Sequence, residues 1–549
     1  MKHEADTLLL KEKIKLTKPT SRNPAYNSHL YWSQKSFNII DIVIDQLSDP
    51  GDIVFDPFMG SGVTLLEAAK EELGRNAVGV DVNEMPTFIV NTLLNDMLNF
   101  DDEKKLNQFS EFLSSLAASY DTTLANGEVA TITKVLFDKP KRTENIFVIK
   151  QIDYKIGNEK GKKIASDITY DDYQSMATYQ SPLTISNTKL IPNSKIAVGT
   201  NDHISDLFTP RNFSVLNKIV EYINQHDDDN LLRYLLMSIL HLSKITDTHS
   251  NSQWPLWIPK TNAVEKNIVE LLSQRINNIK KTISFIKKEY SNNLVVLSEK
   301  DKDYPENQPF VKVLLKGSQN ITDIDIPDDS IDLVITDPPY MDQVLYSEYM
   351  QLYQPFLNFE YNLADEIVVS NGKNRNKNKN LYFELLNSVF SITASKAKED
   401  SYMALYFHDS SLSVWNELLH VLEINGFKYI TQQHIPKTRT LKNILSPKKS
   451  LSGDAILLFQ NTKTAIHSAN ALADKDDMIA GVLSQAKLII EKAGRPLSTP
   501  ELYDMGTMEF IIQNGWLASL SEVVPSLVEV FEEELIWLPD KGLWTINNK

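Results

Sequence analysis

Residues 52–83, DIVFDPFMGSGVTLLEAAKEELGRNAVGVDVN, leave few folds open. The apolar run Ile53-Val54-Phe55 enters a turn that holds Gly60 and Gly62. Strong helix formers fill 63–73, Gly74 stops them, and a second apolar run follows at 77–80. Strand, glycine turn, helix, strand is a βαβ unit. Such a crossover belongs to a parallel sheet with helices on its faces. A helical pattern, NIIDIVIDQL (38–47), precedes the unit and is broken by Pro50 and Gly51.

The same grammar resumes far downstream. Residues 311–317, 331–339, 401–409, 427–436 and 454–460 are strand-like, with helical stretches such as 381–397 and 412–426 between them. The expected fold is therefore α/β: one doubly wound, Rossmann-like sheet interrupted by a large α+β insertion. A chain of 549 residues is too long for one ordinary core and suggests two to four domains. We expect residues 1–95 and 309–465 to form the sheet domain in two parts and 96–308 to form the insertion. Within the insertion, 130–157 is strand-rich, and 231–245 and 263–290 read as helices. A structureless loop of that length is implausible in a compact protein. After a polar linker at 468–477, residues 478–549 read as helices and then two strands around Pro-Asp-Lys-Gly, a small winged-helix-like domain. Ser498 and Glu501 have capping-box spacing.

The chain has no cysteine, which excludes disulfides, thiol catalysis and cysteine-based zinc sites. Its ten histidines are scattered, and no metal site is expected. The first eighteen residues mix both charges without an apolar segment, so no signal peptide is expected. No stretch has the apolar length that spans a membrane, and a cytoplasmic protein is the default. The net charge of −16 argues against a polyanion partner, but local fields outweigh the sum. Lys373, Arg375, Lys377 and Lys379 form one run without acids, and Lys437, Arg439, Lys442, Lys448 and Lys449 fall within another. Both also read as solvated loops.

In DPFMGSG, the glycines let a ligand approach the backbone. Asp56 ends the first strand and Asp81 the second, where an acid can hydrogen-bond a ribose diol. A tight turn with two strand-end caps fits these residues equally well. The stretch ITDPPY (335–340) ends a core strand with a carboxylate, two prolines and an aromatic ring, which a strand ending rarely requires. The pairing of DPFMGSG with DPPY resembles the amino-group (adenine-N6 or cytosine-N4) DNA methyltransferases that use S-adenosylmethionine. The resemblance covers roughly 20–95 and 310–462, and NSHLYWSQKSFN (27–38) resembles the family's remaining cofactor-site segment.

That resemblance implies a methyltransferase sheet that binds S-adenosyl-L-methionine. Asp56, Pro57, Phe58, Gly60 and Gly62 match the cofactor loop, Asp81 the ribose acid, and Lys35 a contact near the methionine carboxylate. Lys35 reads equally as a surface lysine. Asp337, Pro338, Pro339 and Tyr340 match the catalytic tetrapeptide. An exocyclic amine is a poor nucleophile because its lone pair is delocalised. Acceptors at the Asp337 carboxylate and the Pro338 carbonyl would localise that pair, and Tyr340 would stack on a flipped base. Asp at the first position leans towards adenine N6. Lys373, Arg375, Lys437, Arg439 and Lys442 are then expected at DNA phosphates. The expected partner is double-stranded DNA, with partner proteins of a restriction-modification or phage-defence system. SDLFTPRNF (205–213) resembles a segment of larger bacterial DNA methylases. Trp254 and Trp257 read as base wedges or, more simply, as insertion core. His408 reads as a pocket residue or a structural histidine. Three other readings fit the same residues: a cytosine-N4 enzyme, a methyltransferase acting on RNA or protein amide, and a non-catalytic DNA-binding regulator.

Overall fold

The computed structural model describes residues 2–141, 146–178, 185–227, 230–248, 255–259, 261–341, 343–370, 372, 375–436, 448, 454–467 and 474–546. Its central sheet has eight strands: β1 (Ile53–Asp56), β2 (Asn76–Asp81), β3 (Val295–Leu297), β4 (Phe310–Leu315), β5 (Ile331–Thr336), β6 (Ala397–Tyr406), β7 (Phe427–Ile435) and β8 (Asp454–Asn461). They lie in the order β7-β8-β6-β5-β1-β2-β4-β3. The strands from β3 to β6 run parallel, and β8 runs antiparallel to both β6 and β7. All seven strands expected from the sequence are present. The eighth, β3, comes from within 96–308 and extends the sheet beyond β4.

Chain order reverses at β1, which has β2 on one side and β5 on the other. Ligands of open α/β sheets bind at such a switch point, outside the carboxyl ends of the strands. Here those ends carry Asp56 and Asp337.

Side chains alternate across the sheet and so separate two cores. Val54, Ala77, Val311 and Leu333 face one core. Their neighbours Phe55, Val78, Leu314 and Val334 face the other. The first core continues through helix Phe37–Leu47 into the insertion, reaching Ile132, Phe213 and Leu236. The second continues through helices Lys379–Lys396 and Leu412–Ile424 into the C-terminal helices, reaching Leu527 and Trp544. Each face of the sheet is thus covered by one of the chain's additions.

The insertion holds a six-stranded sheet, including Val129–Lys141 and Ile146–Ile156, packed with helices Pro210–His226, Leu231–Ser243 and Ile268–Glu289. The helix expected over 263–290 begins only at Ile268. Ala263–Lys266 is a strand paired with residues 134–137, and Asn267 caps the helix by accepting from the Glu270 amide at 3.2 Å. Arg211 and Glu265 form a fully buried ion pair beneath this strand, where Arg211 Nε lies 3.0 Å from the carboxylate.

At the C-terminal end, helices run from Lys475–Ala493 to Leu527–Glu534 and are followed by the hairpin Ile536–Leu538 and Leu543–Thr545. Within the helices expected after 478, the helical backbone is interrupted at Gly506, whose φ is 137°. The unit docks on the sheet through Gln432, which donates to the Tyr503 and Asp504 carbonyls at 3.3 Å. Among the described residues, no helix is long and apolar enough to cross a membrane.

Candidate active site

The carboxyl ends of β1, β2, β4 and β5 open into a cleft enclosing about 890 Å³, solvent at its mouth included. Its lining unites segments far apart in sequence: 31–35, 56–61, Val63 and Thr64, Asp81 to Asn83, Gly317 to Gln319, Asp337, Tyr346, Glu366 and Tyr406.

The turn after β1 is built for close approach. Gly60 (φ 48°) and Gly62 (φ 76°) both take the left-handed region. A Cβ at Gly60 would stand 2.9 Å from the Tyr31 ring, and one at Gly62 would collide with Val90. Asp56 accepts from the Phe58 amide at 3.0 Å and the Thr64 hydroxyl at 2.8 Å. Asp81 accepts from the Asn83 amide at 2.9 Å. Pro57 contributes its carbonyl to Ser318, and Phe58 packs partly buried against the second core.

Burial pushes the Asp56 carboxyl up to about 7. Thr64 and Phe58 oppose the rise, and nearby Asp337 adds to it. Burial likewise carries Asp81 up to about 7, against the Asn83 and Gly60 amides and with help from Glu366 and Asp56. A carboxyl raised by folding stabilises the fold below its unfolded value, and that stability is lost as pH rises through the folded value. From these two groups the ligand-free protein is expected to lose stability between about pH 4 and pH 7. Thermal unfolding across this range checks it, and Asp81→Asn should flatten the slope. A cation or diol needs both groups ionised, so its affinity should rise over the same interval.

Loop 31–35 closes one wall. Tyr31 stacks on Tyr346 with centroids 5.8 Å apart, and Gln34 donates to Ser61 at 3.2 Å. Lys35 reaches inward, its Nζ 2.9 Å from Asp337 Oδ2 and 3.7 Å from Asp454 Oδ2. Burial works to lower the Lys35 ammonium, but the two carboxylates outweigh it and hold it above its ordinary value. Burial raises Asp337 despite Lys35. The Tyr340 hydroxyl lies close enough to ease that charge, yet no hydrogen bond of ordinary geometry reaches Asp337 Oδ1 among the described residues.

Behind Asp337 the prolines are fixed. Pro338 is buried, and the Pro339 carbonyl accepts from the Tyr382 hydroxyl at 2.6 Å and the Met341 amide at 3.1 Å. Tyr340 is partly buried against Phe407, with centroids 6.3 Å apart. The structure thus brings Asp56, Asp81, Asp337, Pro339 and Lys35 to one cleft, with Gly60 in its wall.

Arg375 corrects the sequence reading. It was expected at a phosphate, but its side chain is only 3% exposed, 2.5 Å from Glu366 and 3.7 Å from Glu348. Paired this way, it is a structural cation under the cleft. Lys373, Lys437, Arg439, Lys442 and Trp254 lie outside the described residues. Trp257 is half-buried, and its carbonyl accepts from Lys244 at 2.6 Å. His408 stands beyond β6, with Nε2 3.4 Å from the buried Asp504.

Sequence reasoning missed Tyr31, Ser318, Gln319, Tyr346, Glu366 and Asp454. Ser318 and Gln319 follow the carboxyl end of β4, so the strand-end rule that found Asp81 would have found them. Asp454 begins an antiparallel strand, which starts at the edge where the parallel ones end. Tyr31 lies in the 27–38 segment, where only Lys35 was given a role, Tyr346 opens the short helix Tyr346–Tyr349, and Glu366 sits in a loop without a motif.

Residues 11–88, which include Lys35, Asp56, Gly60, Gly62 and Asp81, match a family described as DNA methylase (N6/N4). Curated proteins are also similar. Type II methyltransferase M.MjaII of Methanocaldococcus jannaschii is 27% identical over 26% of this chain and 30% of its own length. Type II methyltransferase M.EcaI of Enterobacter cloacae is 43% identical over 9% of this chain and 11% of its own length. Type II methyltransferase M1.MboII of Moraxella bovis is 41% identical over 12% of this chain and 24% of its own length. The matched stretches span less than a third of each relative.

Proposed function

We propose that this chain, which matches the N6/N4 DNA methylase family over residues 11–88, methylates the N6 amino group of adenine in a flipped-out base of double-stranded DNA. The observation that carries the reading is the convergence of Asp56, Asp81 and Asp337 on one cleft at the switch point of a parallel sheet. The residues suit S-adenosyl-L-methionine. Gly60 lies in the wall of the cleft with its backbone in the left-handed region, and two buried acids sit at adjoining strand ends. Asp56 would meet the methionine ammonium and Asp81 the ribose diol. Pro57, Phe58, Gly60 and Gly62 would form the cradle. When bound, the cofactor supplies an electrophilic sulfonium methyl group.

The chain's own residues then orient the nucleophile. Asp337 Oδ1 and the Pro338 carbonyl accept the two amino hydrogens, localise the nitrogen lone pair and take up charge as the N–C bond forms. Pro339 keeps that backbone rigid, and Tyr340 offers a face to the base. The Asp at position 337 favours adenine over cytosine. Transfer of labelled methyl from S-adenosylmethionine to mixed-sequence duplex DNA, followed by nucleoside separation, tests this. Label in N6-methyladenine supports it, label in N4-methylcytosine moves the target base, and no label in DNA overturns it.

Sequence places Lys437, Arg439 and Lys442 between β7 and β8, at the edge where Asp454 enters the site. Reversing all three charges is expected to weaken DNA binding about tenfold or more at low salt and to reduce its salt slope by two to three. Affinity measured across a salt series checks this. Partner proteins of a restriction or defence system would supply functions beyond methylation, and a winged-helix-like C-terminal domain would serve as a docking module for DNA or for them.

A further inference from the structure

We propose that Lys35 is a positioning residue for Asp337, and that Asp454 in turn positions Lys35 and offsets its charge: the ammonium fixes Asp337 Oδ2, leaving Oδ1 to accept from the substrate amine. The inference rests on the methyl-transfer reading above. It departs from the expectation that Lys35 meets the methionine carboxylate.

Geometry carries it. Lys35 Nζ stands 2.9 Å from Asp337 Oδ2 and 3.7 Å from Asp454 Oδ2. The same ammonium lies 5.3 Å from the centre of the Tyr340 ring and 5.2 Å from that of Tyr406. Two carboxylates and two ring faces thus define its place, and its side chain is 8% exposed. Asp337 Oδ1 is buried and makes no hydrogen bond among the described residues. A buried acceptor left open costs free energy unless a ligand uses it.

The charge balance explains why both partners are present. A carboxylate buried near Asp56 and Asp454 would tend to take up a proton, and a protonated acid is a poor acceptor. Lys35 opposes that. Alone, however, a lysine would place a full positive charge beside a nitrogen that itself becomes positive. Asp454 offsets it, so the trio keeps one net negative charge. In the step served, the nitrogen–carbon bond forms as the carbon–sulfur bond breaks and its electron pair stays on sulfur. The proton leaves nitrogen for Asp337 Oδ1 and then for water. Asp337 also faces the Tyr340, Tyr346 and Tyr406 hydroxyls, and Asp454 faces His434.

The test uses the full chain with Lys35→Gln, Lys35→Arg and Asp454→Asn. The Asp337 carboxyl is followed by NMR on protein carrying aspartate labelled with carbon-13 at Cγ, and Asp337→Asn assigns the signal. Lys35→Gln is expected to move its titration midpoint up by about one pH unit and Asp454→Asn to move it down by about as much. Lys35→Arg should stay near wild type. In methyl transfer, Lys35→Gln should lower kcat about 10–100-fold and shift the acidic limb of the pH profile upward, with the cofactor KM unchanged. Midpoints that stay put, or move the same way in Lys35→Gln and Asp454→Asn, overturn the proposal. So does a Lys35→Gln enzyme that raises the cofactor KM and keeps kcat. If the midpoints move as expected but wild type methylates no DNA, the pair stands and the DNA reading falls.

Discussion

Asp337→Ala is expected to reduce methyl transfer by about a thousandfold or more while leaving cofactor binding within a few-fold of wild type. The asymmetry follows from the site's layout. The acids proposed for the cofactor, Asp56 and Asp81, end β1 and β2 and are held by their own turn amides. Asp337 ends β5 and contributes none of those hydrogen bonds. Its removal deletes an acceptor that matters only when an amine attacks, so the loss should fall on kcat rather than on cofactor KM. Calorimetric titration with S-adenosylhomocysteine and single-turnover transfer separate the two. A variant that loses cofactor binding along with transfer would place Asp337 in the cofactor site instead.

The second large effect is on stability. Arg375→Ala is expected to cost about 3–5 kcal/mol, the range for breaking a buried ion pair by removing one partner. Glu366 and Glu348 are 3% and 0% exposed at the side chain, and both would lose their cation. Glu366 accepts from the Ser347 amide at 2.9 Å, and Glu348 accepts from Asn193 at 2.7 Å, so neither can turn away to solvent without breaking a further bond. Glu366 also lines the cleft, and activity should fall with the fold. Denaturant unfolding checks the cost. A salt series on the folded variant checks the alternative. A DNA-binding slope reduced by about one with stability unchanged would return Arg375 to the phosphates.

Arg375 also marks the limit of what the sequence allowed. A run of Lys and Arg without acids has the same pattern whether it faces solvent or folds inward. Its partners, Glu348 and Glu366, come from other segments that only the fold brings near. The parallel strands were legible because strands buried on both faces read as apolar runs, and all seven overlap the stretches expected, although β6 spans Ala397–Tyr406 rather than 401–409. The residues that cap those strands were legible for the same reason. Asp56, Asp81 and Asp337 each end a run. Asp454 begins one, and its position depends on β8 running backwards, which no local pattern records. The strand at 263–266 was hidden because Ala-Val-Glu-Lys suits a helix, and pairing with residues 134–137 overrides that propensity.

The placement of the insertion also shapes how the chain can fold. Asn76, at the start of β2, bonds the amide of Phe310, which lies 234 residues away. Between them lies a whole second sheet with its helices. Until β4 has been synthesised, β2 lacks its outer neighbour, and until β5 follows, β1 lacks the other one. At about 5–20 residues per second, the two central strands wait more than ten seconds on the ribosome with their edges unpaired. Edges left open in that way invite pairing with the wrong chain. Yield of native protein from such a chain should therefore respond to translation speed and to chaperones more than its final stability would suggest.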